Sequence, residues 1–100
     1  MKIENKIITV NVTTKLGITP IEKKYSDLII EIVNAPPREG GFTVTEMRSR
    51  LKLIEKLEKA NGEIEFQHGE LMKVKECLAL MQWKFISKEI VEFTDAIEKL

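Results

Sequence analysis

Apolar side chains recur along this chain in two rhythms. Over residues 1–14, Ile8, Val10 and Val12 alternate with Thr9 and Asn11, and β-branched residues dominate, so Met1 to Thr14 reads as a strand. Lys15 to Ile18 reads as a connection with its turn at Gly17. The rhythm then changes to 3.6 residues. Ile21, Tyr25, Leu28, Ile29 and Ile32 mark one face of a helix, with Thr19 as its cap, Pro20 at the first helical position and Glu22 completing a capping box. Pro36 and Pro37 stop it near Asn34.

Residues 35–41 form a loop whose Gly40 and Gly41 supply flexibility. The next helix start is the best punctuated in the chain. Thr43 and Glu46 have capping-box spacing, and Phe42 and Met47 have the spacing of a hydrophobic staple. The helix runs over residues 44–60. Val44, Met47, Leu51 and Ile54 are its predicted core stripe, widened by Leu53 and Leu57, and Asn61-Gly62 is its stop.

Residues 63–66 alternate like a short strand. A third helix over 69–81 carries Leu71, Val74, Leu78 and Met81 on one face, with Cys77 beside them. Trp83, Phe85 and Ile86 make an apolar connection. Ser87 then caps a last helix bearing Ile90, Phe93, Ile97 and Leu100. These elements predict one α+β domain over residues 1–100, mainly helical, with four helices and a minor two- or three-stranded sheet. The edges of that sheet matter. The N-terminal strand can pair with residues 64–66, with a partner chain or with a copy of itself.

Composition narrows the functional classes. The chain is 43% hydrophobic and 32% charged, which suits a folded globule rather than a disordered one. Sixteen acidic and sixteen basic side chains cancel, so the basic excess of a strong nonspecific nucleic-acid binder is missing, as is support for anionic-membrane binding. No apolar run approaches the ~20 residues of a membrane span. Glu4 and the lack of an apolar core speak against a signal peptide at the N-terminus. One cysteine allows no intramolecular disulfide, which suits a reducing cytoplasm.

Candidate chemistry is sparse. His68 stands alone, without a partner base or a ligand set, and reads as a turn or surface residue. Cys77 on an apolar helix face reads as a small hydrophobe rather than a nucleophile. Gly40-Gly41 lacks the lysine and serine of a phosphate loop. No catalytic residue, metal site or cofactor is therefore expected. The interface candidates are Ile8, Val10 and Val12 on the strand, Trp83 and Phe85 in the connection, and Arg48, Arg50 and Lys52 on the basic second helix. Lys56 and Lys59 add charge there, while Glu46, Glu55 and Glu58 offset it. An acidic bias at Glu63, Glu65, Glu70 and Glu76 gives the chain a mild dipole, through which two copies could dock. A winged-helix reading fails, because the strand after the second helix leads to another helix and not to a hairpin.

The run from Phe42 through Thr43-Val44-Thr45-Glu46-Met47-Arg48-Ser49-Arg50-Leu51 to Ala60, followed by a Trp and then Ile90-Val91-Glu92-Phe93, resembles small proteins encoded by tailed phages and prophages. The resemblance covers residues 20–100 and carries over no functional residue. It implies a non-enzymatic role in assembly or host takeover, in the host cytoplasm or the virion. The sequence reading is thus a protein–protein interaction or assembly protein whose partner includes itself. The rival is a small DNA-binding regulator using the basic second helix.

Overall fold

The computed structural model describes residues 1–36, 40–83 and 85–100, with the backbone alone of Thr13. Its elements are β1 (Lys2–Glu4), β2 (Ile7–Thr14), β3 (Gly17–Lys24), α1 (Tyr25–Asn34), α2 (Val44–Glu58), β4 (Glu63–Glu65), α3 (His68–Leu80) and α4 (Lys88–Glu98). The α+β, mainly helical fold is as expected, with four helices among the described residues. The strands form two separate antiparallel pairs, β1 with β4 and β2 with β3.

The N-terminal segment is two strands rather than one, and Asn5 is where it breaks. Before it, Ile3 pairs with Ile64, so residues 64–66 are the partner, one of the three open to the N-terminal strand, that this first part takes. Met1 and Phe66 exchange hydrogen bonds at one end of this small sheet, and Asn5 N–H donates to the Gly62 carbonyl at the other. The Asn5 side chain then acts as a knot. Its Nδ2 donates to Ser26 Oγ at 3.0 Å and to the Asn61 carbonyl at 2.8 Å, while its Oδ1 accepts from Ser26 N–H at 2.9 Å. Both side chains are buried, at 9% and 4% exposure. The bonds explain how such polar groups sit in a core.

Residues 19–22 correct the sequence reading. Thr19, Pro20, Ile21 and Glu22 do not open a helix; they lie in β3, paired with Val12, Asn11, Val10 and Thr9. The local signals are real, but the long-range match to a β-branched partner strand overrides them. The helix starts instead at Tyr25. There Asp27 Oδ2 accepts from Lys24 N–H at 3.1 Å, and Asn5 supplies the acceptor for Ser26 N–H. It ends at Asn34 as expected, although Pro37, one of its two predicted stops, lies outside the described residues.

Helix α1 packs against both α2 and α3, α3 packs against α4, and α4 packs under β2. One continuous core results, with Leu28, Ile29, Ile32, Val33, Val74, Phe93 and Ile97 almost wholly buried. The Tyr25 and Phe93 rings meet edge to face with centroids 5.0 Å apart.

The predicted stripe of α2 holds only in part. Leu53, Ile54 and Leu57 are buried, but Val44, Met47 and Leu51 remain 61%, 46% and 53% exposed. Neighbouring elements bury side chains on the C-terminal half of this helix only. At its start, Thr43 Oγ1 accepts from Glu46 N–H at 3.1 Å, the first half of the capping box. Glu46 does not complete the box, because its Oε1 accepts from Arg50 Nε at 2.9 Å and from Lys73 Nζ at 2.8 Å. α3 keeps its predicted face, and Ser87 caps α4 by accepting from Ile90 N–H at 3.3 Å.

Candidate interaction surface

The hairpin of β2 and β3 turns at Lys15 and Leu16, and the side chain of Leu16 is 99% exposed at its tip. Gly17 has φ +109°, a conformation that favours glycine. Thr14 Oγ1 braces the turn by accepting from Leu16 N–H and donating to the Gly17 carbonyl.

The hydrogen-bond phase of this hairpin determines what its edges offer. In antiparallel pairs, hydrogen-bonded and non-bonded positions alternate. Tyr25 N–H donates to the Lys6 carbonyl at 2.9 Å, extending the ladder one step past Ile7–Lys24. Positions 8, 10, 12 and 14 of β2 are therefore bonded to β3. Positions 7, 9, 11 and 13 turn their N–H and C=O groups away from it. Pro20 faces Asn11 in the second set, so its missing N–H costs the ladder nothing and instead blocks the outer edge of β3.

The outer edge of β2 has no such block. Ile7, Thr9 and Asn11 are exposed, and among the described residues no backbone bond outside the hairpin engages them. Seven of the eight residues in β2 are β-branched, and none is charged, Pro or Gly. Edge strands of folded proteins ordinarily carry charge, proline or a bulge to prevent pairing.

The candidates from the sequence fall in three places. Val10 is 1% exposed, and Ile8 and Val12 pack against the core, so these side chains anchor β2 while its backbone edge stays open. Trp83 and Phe85 are half-buried against the core and meet edge to face at 6.2 Å. Arg50 is taken up by the fold: Nη1 donates to the Val33 carbonyl at 2.8 Å, and the guanidinium lies 4.5 Å over the Phe42 ring. Arg48 and Lys52 are exposed, with no ion-pair partner among the described residues. They line a groove of about 530 Å³ between α2 and the start of α3, together with Lys73 and Glu70.

Ion pairs border that groove. Hydrogen bonds from Lys73 and Arg50 hold the Glu46 carboxyl below its ordinary range, and the Glu46 bond raises Lys73. Glu70 would be raised by burial, but bonds from Lys56 and from Gln67 N–H outweigh that and lower it. These pairings stabilise the charged forms and leave the net charge of the groove to Arg48 and Lys52.

A second cavity, about 580 Å³, is lined by Ile32, Pro36, Cys77, Leu80 and Met81 among others. Burial pushes the Cys77 thiol up, away from the thiolate needed for attack. His68 stands nine residues earlier on the same helix, about 13 Å along its axis at ~1.5 Å per residue, too far for a Cys–His pair. Among the described residues no group of three His, Cys, Asp or Glu side chains could hold a metal ion, and no helix is long and apolar enough to cross a membrane.

Sequence reasoning finds an edge on the N-terminal strand but not β3, which closes one side of β2 and lies where the helix signals of residues 19–22 fall. The signal for β3 lies in Ile18, Thr19 and Ile21, β-branched residues four to seven positions beyond the end of β2 and just past the turn that Gly17 follows. No protein-family model matches the chain, and neither a curated protein nor a solved structure does.

Proposed function

We propose that this protein acts by protein–protein contact rather than by catalysis, and that it self-associates by backbone pairing along the outer edge of β2. The observation that supports this is the edge itself, long, uncharged and without proline, in a chain whose β3 edge is blocked. An assembly role of the kind implied by the resemblance to tailed-phage and prophage proteins fits this reading, in the host cytoplasm or the virion. Light scattering behind size exclusion, over a wide concentration range at low and high salt, tests it. Backbone pairing gives a species larger than the monomer that resists salt, because no exposed charge pair holds it. A monomer at every concentration overturns the proposal.

A second reading, a small DNA-binding regulator, draws on Arg48 and Lys52, exposed cations of the α2 groove without an ion-pair partner among the described residues. It requires duplex binding that falls steeply with salt and weakens in Arg48→Ala and Lys52→Ala. Binding that is absent or insensitive to these two changes rejects it.

A further inference from the structure

We infer that the strand received by the β2 edge is β2 of a second copy, laid antiparallel across a two-fold axis beside Val10, so that association closes at two. The inference rests on the self-association reading and adds the partner, the register and the stoichiometry.

Charge selects the partner. An edge without charge best accepts a strand without charge. Within the described residues that strand is β2 alone: β1 and β4 carry Lys2, Glu4, Glu63 and Glu65, and β3 carries Glu22, Lys23 and Lys24. A neutral strand paired with its own copy sets no like charges against one another in any register.

Hydrogen-bond phase selects the register. Only positions 7, 9, 11 and 13 present outward N–H and C=O groups, so the new ladder joins odd positions to odd positions. The arrangement with the longest overlap sets Thr9 against the partner's Asn11, Ile7 against the partner's Thr13, and Val10 against its own symmetry mate. Apart from Thr9 opposite Asn11, β-branched residues then stand opposite one another along the strand, the pairing that sheets favour.

Edge protection sets the stoichiometry. Pairing β2 with its mate makes a four-stranded sheet whose outer strands are the two copies of β3, each blocked at Pro20. The β1–β4 sheet offers only three-residue, charged edges. Each copy thus has one open edge among the described residues, and an isologous contact consumes both.

The test uses exposed positions. Asn11→Pro copies the device already present at Pro20, removing an outward donor without touching the β2–β3 ladder. Thr9→Lys/Asn11→Lys sets like charges against each other twice across the axis. Thr9→Lys/Asn11→Glu differs at one position and sets opposite charges there instead; lysine at position 9 also faces Glu22 of its own hairpin. Light scattering and sedimentation give the mass and the dissociation constant, and circular dichroism verifies folding.

The wild type is expected to be a dimer and not larger. Asn11→Pro and the double lysine variant are expected to weaken it about a hundredfold or more, and the lysine–glutamate variant to return within about threefold of wild type. If Asn11→Pro fails to fold, the two charge variants carry the comparison. A monomeric wild type overturns both this inference and the reading beneath it. A dimer that survives Asn11→Pro or the double lysine change, or a mass beyond two, overturns this inference alone.

Discussion

Replacing Asn5 by alanine should be among the most damaging polar substitutions in the chain. It deletes the three side-chain hydrogen bonds to Ser26 and Asn61. A net ~1 kcal/mol for each gives about 3 kcal/mol, including the bond from Ser26 N–H in the first turn of α1, which loses its acceptor at a site only 9% exposed. A domain of this size has roughly 5–15 kcal/mol in total, so a large share of it goes. At ~4–8 °C per kcal/mol the thermal midpoint should fall by about 12–24 °C. Ser26→Ala removes only the Oγ contact and keeps the N–H bond, so it should cost about 1 kcal/mol. Urea unfolding followed by far-ultraviolet circular dichroism, with equal m-values for all variants, measures both. A loss below ~1 kcal/mol for Asn5→Ala, or a Ser26→Ala loss as large, would refute the view that the side-chain oxygen of Asn5 caps α1.

Two further outcomes follow from the charges and the thiol. Glu46 and Glu70 have lowered folded-state pKa values, so the stability that they contribute is present above the unfolded carboxyl value of about 4.3 and is lost as pH falls through the folded value. Stability should therefore drop on acidification below about pH 4.5, and Glu46→Gln should flatten that fall while lowering stability at pH 7; an unchanged acid limb in Glu46→Gln would count against the Lys73 and Arg50 pairing. Cys77, buried and with its pKa raised, should react with a thiol reagent at neutral pH at least ~100-fold more slowly in the native protein than in urea, and equal rates would show that it is not buried.

Much of this fold was legible in the sequence because the signals were local. Thr43 and Ser87 mark helix starts through bonds to residues three positions on, and Ile90, Phe93 and Ile97 need only their own spacing to mark a buried face. Residues 63–66 read as a short strand and as one of three partners open to the N-terminal segment, but the pairing of Ile3 with Ile64, sixty-one positions on, is not in the local pattern. Residues 19–22 were not legible. Thr19-Pro20-Ile21-Glu22 satisfies helix-start chemistry and strand pairing equally well, and only the presence of β2 decides between them. The outer stripe of α2 failed for a related reason. Val44, Met47 and Leu51 have core periodicity, but periodicity does not say how far along the helix its neighbours extend. The interface candidates Ile8, Val10 and Val12 turn out to be side chains that anchor β2 to the core. Which part of the strand faces outward depends on the hydrogen-bond phase with β3, and a single strand's sequence does not contain that phase.

The packing of α4 beneath β2 joins segments about eighty residues apart in the sequence, and this sets an order of events at the ribosome. The hairpin is synthesised first, but its inner face gains its last cover only when residues 88–98 emerge. From Lys24 at the end of the hairpin to Glu98 at the end of α4 the chain grows by 98 − 24 = 74 residues, about 4–15 s at roughly 5–20 residues per second. Throughout that interval the hairpin lacks the α4 side of its cover, and the neutral edge of β2 stands beside an incomplete core. On a crowded polysome, neighbouring hairpins of the same sequence are then the nearest uncharged strands. The strand that would join finished copies is thus also the one most exposed to premature pairing, and late closure by α4 sets how long that exposure lasts.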